Sequence, residues 1–171
     1  AAVVWRYLLN PDLGLLNNLL RLIGLSGYNW LGNPVLAMPA IIAMAVWRNV
    51  GGAMVIFLAG LQAIDRTLYE AAEVDGAGTW AKFRHVTVPL LRPTLLFVTV
   101  TTSIGFLQVF AEPFVMTRGG PLNRTLTVSL YLYQQGFSFF RQGYAAAISY
   151  VLFVAVVIFA AVQFRLLRQQ T

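Results

Sequence analysis

The residues of this chain best equipped for chemistry crowd into one run, Glu70-Ala71-Ala72-Glu73-Val74-Asp75-Gly76-Ala77, which holds three of the six acidic residues of the whole sequence. The pattern is one of recognition. Its carboxylates must face water, and the small apolar residues between them must face something else. Nothing nearby or elsewhere forms a metal-ligand set, a nucleophile–base pair or a phosphate-binding loop. The chain has no cysteine, which excludes disulfides, thiolate metal sites and cysteine nucleophiles. Its single histidine, His85, stands among basic residues, where a solvated or headgroup-contacting role suits it better than a catalytic one. The chain is therefore not read as an enzyme.

A second constellation is Trp47-Arg48-Asn49, inside a long apolar stretch and followed by Gly51-Gly52. An arginine at mid-membrane depth costs roughly 2.5–3.5 kcal/mol on insertion scales, so it should face a cavity or a partner. The alternatives are that it snorkels to an interface or pairs with a neighbouring subunit. The glycine pair is expected to loosen or kink the helix. Gln108 and Glu112 close the next apolar stretch, where Glu112-Pro113 marks its external end and leaves a gating role open.

The elements that carry these residues follow from composition. Of the 171 residues 58% are hydrophobic and only 11% charged, whereas soluble domains carry about 25% charged residues. The net charge of +6 comes mostly from arginines flanking apolar runs, which fits membrane topology better than nucleic-acid binding. Three stretches reach spanning length: Val35 to Ile64, Pro93 to Ala111, and Gln142 to Phe164. Each exceeds or approaches the roughly 20 helical residues that a bilayer needs. Ala1 to Trp5 reads as the tail of a further, partial span, so the domain 1–171 is expected to be truncated at its N-terminus. The fold class is all-α, a polytopic membrane bundle. Polar connections join the spans: residues 10–33, with a short amphipathic surface helix from Leu15 to Leu25, and residues 112–141, with a tight turn at Arg118-Gly119-Gly120-Pro121.

Arginine and lysine counts set the orientation. Arg66, Lys82, Arg84, Arg92, Arg165 and Arg168 fall on one side, against Arg21, Arg118, Arg124 and Arg141 on the other. This bias of six to four puts the connection 65–92 and the C-terminal tail in the cytoplasm. Within 65–92 two short helices are expected. Asp65 is placed to cap the first, and Gly76 to end it in the left-handed conformation. Thr79 is expected to cap the second, with Trp80, Phe83 and Thr87 on one face and Lys82, Arg84 and His85 toward solvent or headgroups. Val88-Pro89 should end it, and Pro93 suits the first turn of the next span.

Here the residues resemble a known family. Leu68-Tyr69-Glu70-Ala71-Ala72, Asp75-Gly76-Ala77, Trp80, Phe83, Val86 and Pro89-Leu90-Leu91 resemble the EAA loop of membrane subunits of ATP-binding-cassette (ABC) importers. The form is similar to the carbohydrate branch, the maltose and glycerol-phosphate type. Val115-Met116-Thr117-Arg118-Gly119-Gly120-Pro121 with Thr125, and Gly143-Tyr144-Ala145-Ala146-Ala147, extend the likeness across most of the chain. Asp65 stands where the family usually has proline, and Val86 and Val88 replace the usual isoleucine and leucine.

The resemblance implies a permease subunit in the cell membrane, forming part of a path for a sugar or related polar solute. It implies that Glu70, Ala71, Ala72, Asp75 and Gly76 dock on a cytoplasmic ATPase while Trp80 and Phe83 anchor the loop to its own membrane domain. Arg48, Asn49, Gly52, Thr102, Gly105 and Phe106 match positions that line the path in similar importers. The expected partners are ABC ATPase subunits, a second and different permease chain, an extracytoplasmic solute-binding protein and membrane lipid. No cofactor is expected, since ATP is hydrolysed by a partner. From the residues alone, a plain amphipathic surface loop and a stand-alone channel or secondary transporter stay open.

Overall fold

A computed structural model describes residues 1–168, and among these every regular element is helical. In chain order they are α1 (Ala2–Leu8), α2 (Leu15–Leu22), α3 (Ala37–Gln62), α4 (Arg66–Val74) and α5 (Thr79–Lys82). A π-helical turn (Phe83–Thr87) leads into α6 (Val88–Leu90) and then α7 (Arg92–Leu107). After α8 (Ala111–Met116) and α9 (Val128–Tyr133) comes a second π-helical turn (Gln134–Ser138), then α10 (Gln142–Arg168). The side chains of Leu167 and Arg168 and the end of the tail, residues 169–171, lie outside the described residues.

Two helices are long and apolar enough to cross a membrane: α3, with 26 residues, and α10 from Gln142 to Leu166. Their exposed faces carry Val46, Val50, Met54 and Val55 on α3 and Val151, Phe153, Val154 and Ile158 on α10, surfaces suited to hydrocarbon. α3 runs unbroken through Gly51-Gly52. In apolar surroundings a helix keeps its backbone bonds internal, and that outweighs the flexibility of two glycines.

The middle span differs from its expected bounds. α7 ends at Leu107 instead of Ala111, and its 16 residues reach about 24 Å, short of a full bilayer crossing. The cause lies downstream. Pro113 has no N–H to give to the Val109 carbonyl, and its ring would clash there, so the helix cannot run through. The Thr127 hydroxyl donates to that carbonyl instead, at 2.8 Å. On the other side, Thr79–Leu90 meets α7 at a bend of 61° across Leu91, and together this pair forms a third candidate span.

The chain divides into two compact units. The first comprises residues 1–49 and 105–157. Its core joins Leu9, Ala40, Ile41, Met44 and Met116, with Trp5, Leu16, Trp30 and Leu31 packed against it. Asn17 organises the connection above this core. It is only 1% exposed, and its amide donates to the Pro11 and Tyr28 carbonyls at 3.0 and 2.8 Å. Its carbonyl accepts from the Tyr28 N–H at 3.1 Å and the Trp30 indole at 2.8 Å. All four hydrogen-bonding positions of the side chain are thereby used. α2 stops at Leu22, earlier than the expected Leu25, because Gly24 (φ 80) turns left-handed and lets Leu25 N–H bond back to the Leu20 carbonyl at 2.9 Å.

The second unit holds residues 50–104 and the segment from Ile158. Its close approach is at Gly60, where a Cβ would lie 2.6 Å from the Thr94 hydroxyl of α7. A small residue there lets α3 and α7 meet backbone to side chain. Gln163 of α10 donates to the Ser103 hydroxyl of α7 at 3.1 Å.

Asn17→Leu keeps the branched shape of the side chain but replaces its polar end by methyl groups, leaving two carbonyls, an amide and an indole unpaired. The full chain in detergent should lose about 3 kcal/mol of stability, read by denaturant unfolding. Unchanged stability would mean that water or neighbouring groups replace every one of these bonds.

Candidate functional site

The connection 65–92 is built from its caps inward. Asp65 accepts the Thr67 N–H at 3.0 Å and starts α4, as its position suggests. That backbone bond, followed by the Thr67 side chain, holds the Asp65 carboxyl below its usual range. The far end closes on Gly76, at φ 76. Gly76 N–H bonds to the Glu73 carbonyl and Ala77 N–H to the Ala72 carbonyl, both at 2.9 Å. This Schellman pair satisfies carbonyls that the helix end would otherwise leave open, and it needs a residue without Cβ strain at the turn.

The tip so made is exposed. Glu70, Ala71, Val74, Asp75 and Gly76 all face outward, and Ala72 is half-buried. Val74 is 88% exposed, an apolar side chain offered at the end of α4 between Glu73 and Asp75.

Two braces hold α4 against the following helix. The Lys82 ammonium pairs with the Glu73 carboxylate, and the Tyr69 and Thr87 hydroxyls meet at 2.9 Å. The Lys82 bond and charge keep the Glu73 carboxyl below its ordinary range. Lys82 thus faces its own loop and not solvent or headgroups as expected. Thr79 does not cap α5: Gly78 occupies the capping position and no side chain bonds the helix start. Trp80 and Phe83 stack with centroids 5.5 Å apart, yet Trp80 stays 72% exposed. Phe83 is about half exposed, and Thr87 is the buried side chain of that helix. Arg84 and His85 are exposed, with His85 Nδ1 lying 3.1 Å from the Ala81 carbonyl. Val88-Pro89 does not end the helix, contrary to expectation: Val88 is itself α-helical (φ −62, ψ −45), Pro89 lies in the first turn of α6, and the break comes after Leu90.

One ion pair involves the polar constellation of α3. Arg48, the twelfth of the 26 residues of α3, pairs with Glu112 of α8. The Glu112 side chain is 3% exposed and that of Arg48 47%. The sequence raises both residues separately; their pairing, 64 positions apart, was not legible. Asn49 donates to the Ala45 carbonyl of its own helix at 2.7 Å. Gly105 and Phe106 are exposed in the same unit as Arg48, whereas Gly52 and Thr102 belong to the second unit, exposed and half-buried respectively. Among the described residues no group of three metal-ligating side chains occurs.

Comparison with known proteins bears on this geometry. The profile of the family described as binding-protein-dependent transport system inner membrane component matches residues 3–169. The lactose transport system permease protein LacF of Rhizobium radiobacter is 43% identical over 162 residues, 92% of this chain and 54% of that protein. The trehalose/maltose transport system permease protein MalF of Thermococcus litoralis is 38% identical over 162 residues, 95% of this chain and 55% of that protein. The chain therefore spans about half the length of these relatives. A crystal structure of a bacterial ABC transporter that imports the acidic polysaccharide alginate superposes with a TM-score of 0.88 at 27% identity. That match covers 99% of this chain and 60% of the other.

The Glu73–Lys82 brace sets a pH dependence. Because the folded loop depresses the Glu73 pKa, the brace is complete above the ordinary carboxylate range and is lost as pH falls through the lowered value. The protection factors of the amides in residues 66–90, each rate taken relative to the intrinsic exchange rate at that pH, should therefore be high at neutral pH and fall in acid. Glu73→Gln should exchange faster at neutral pH and show a much weaker acid response. Identical profiles for both chains would remove the brace from the account.

Proposed function

We propose a function on one premise: this chain belongs to the family of binding-protein-dependent transport system inner membrane components. It acts as a permease subunit of an ABC importer, forms part of the path for a sugar or related polar solute, and is driven by a separate ATPase through the loop 65–92. The observation that carries this is the braced hairpin with its exposed tip. An apolar Val74 beside Glu70, Asp75 and the left-handed Gly76 is a surface shaped to seat in a partner's groove.

The mechanism is alternating access. ATP binding closes the ATPase dimer, and the seated tip moves with it. The two braces make α4 and the helix Thr79–Leu90 travel together, and the helix passes the motion to α7 across the 61° bend. A rearrangement of the spans then exposes the cavity to one side or the other. Hydrolysis belongs to the ATPase, and this chain supplies a lever and part of a pathway. Arg48, Asn49, Gly52, Thr102, Gly105 and Phe106 line that pathway. A second permease chain completes it, and an extracytoplasmic binding protein delivers the solute. The loop lies in the cytoplasm, where ATP is, and residues 118–141 lie outside. The transport functions by which these relatives are named, lactose and trehalose/maltose, support a sugar as the cargo.

Two substitutions at the tip test the docking. Gly76→Trp forces a bulky L-residue into the left-handed region, at a cost of about 1–2 kcal/mol, and places an indole in the contact. Glu70→Lys reverses an exposed charge while leaving α4 free to form. Both variants should insert normally and keep the partner permease, yet lose ATP-coupled uptake by tenfold or more (about 1.4 kcal/mol per decade). Uptake at the native rate in either variant would overturn the docking assignment.

A further inference from the structure

Arg48 and Glu112 form the one constellation whose consequence reaches past the assignment of a path. Glu112 is nearly sealed from solvent, whereas about half of the Arg48 side chain remains open. Arg48 lies about 17 Å from the start of α3 and about 21 Å from its end, near mid-helix. Hydrocarbon would penalise an open guanidinium at that depth, so it belongs against water or a polar solute.

Glu112 leaves Arg48 its donors but cancels its charge. A guanidinium has five N–H groups in a planar fork, and one carboxylate oxygen in contact leaves most of them available. The pair as a whole is neutral. Hydroxyl groups can accept from such a surface without an anion being drawn to it, whereas a bare arginine would hold carboxylates and phosphates tightly.

We infer that Glu112 is a specificity-determining positioning residue: by neutralising Arg48 it makes this part of the path a donor surface for uncharged polyhydroxylated solutes and removes its attraction for anionic ones. The inference rests on the placement of Arg48 in the path proposed above.

The test reads local charge directly and needs no knowledge of the solute. The chain has no cysteine, so Gly52→Cys introduces a single thiol one helical turn from Arg48, at a position where a Cβ meets no neighbour. The assembled transporter in membranes is treated with an anionic and a cationic methanethiosulfonate reagent of similar size, and the ratio of their rates is measured. With Glu112 in place the ratio should match that of a neutral model thiol. With Glu112→Gln added, the unmasked Arg48 should raise the anionic-to-cationic ratio about tenfold, the size expected for a unit charge several ångströms away in partly aqueous surroundings. Arg48→Gln together with Glu112→Gln should restore the original ratio. An unchanged ratio in Glu112→Gln would overturn this inference alone. Failure of either reagent to reach the introduced thiol in any assembled form would instead overturn the path assignment beneath it, and this inference with it. If the single Glu112 variant does not assemble, the doubly neutral pair decides: assembly with the original ratio supports charge masking. Failure of both to assemble makes the pair a structural brace and overturns the proposal.

Discussion

Polar groups in apolar surroundings have to find their partners inside the chain, and most of this structure follows from that constraint. A carboxylate as deeply buried as that of Glu112 would be costly without Arg48 beside it. The same rule explains Thr127, whose hydroxyl donates to the Val109 carbonyl that Pro113 cannot serve. Buried Thr125 donates to the Gly120 carbonyl at 2.7 Å and so ties the turn at 118–121 shut. Asn17 does as much for the connection between α2 and α3. Where these internal bonds stop, the surface that remains is informative: apolar flanks on α3 and α10, and one compact polar tip on the loop.

That tip differs from the rest of the surface because it is stiffened. Glu73–Lys82 and Tyr69–Thr87 tie α4 to the next helix from two points, one ionic and exposed, the other a hydroxyl pair partly buried. An exposed ion pair contributes little to stability by itself. Two ties in parallel serve geometry instead, since a hinged loop would absorb a push that a braced one transmits. The π-helical turn Phe83–Thr87 brings Thr87 inward to meet Tyr69 while Trp80 and Phe83 stack outside.

Local features of the fold were legible in the sequence to the extent that they depend on neighbouring residues. The helix start at Asp65 and the left-handed stop at Gly76 are decided within a few positions, and both stand where the residue types suggest. α3 and α10 follow from apolar length. What was not legible depends on distant partners. Pro113 can shorten α7 because Thr127 is there to donate the missing bond, and Arg48 finds Glu112 on another element. Lys82 was expected to face solvent because nothing local places Glu73 beside it, nine residues upstream. Asn17 carried no signal: a single asparagine in an amphipathic stretch looks like any polar surface residue until Tyr28 and Trp30 fold over it.

The central claim is that the tip of the loop is seated on an ATPase, and a zero-length contact measurement addresses it most directly. A photo-crosslinking amino acid at Val74, whose native side chain is almost fully exposed, would be activated in the assembled transporter in membranes. Mass spectrometry would then identify the attached chain. The account expects the ATPase to be joined at Val74, with a yield that changes between nucleotide-free and ATP-bound states, and not to be joined to the same probe at Asn123. Crosslinks from Val74 to lipid or water alone, in a transporter that still holds its ATPase, would contradict it.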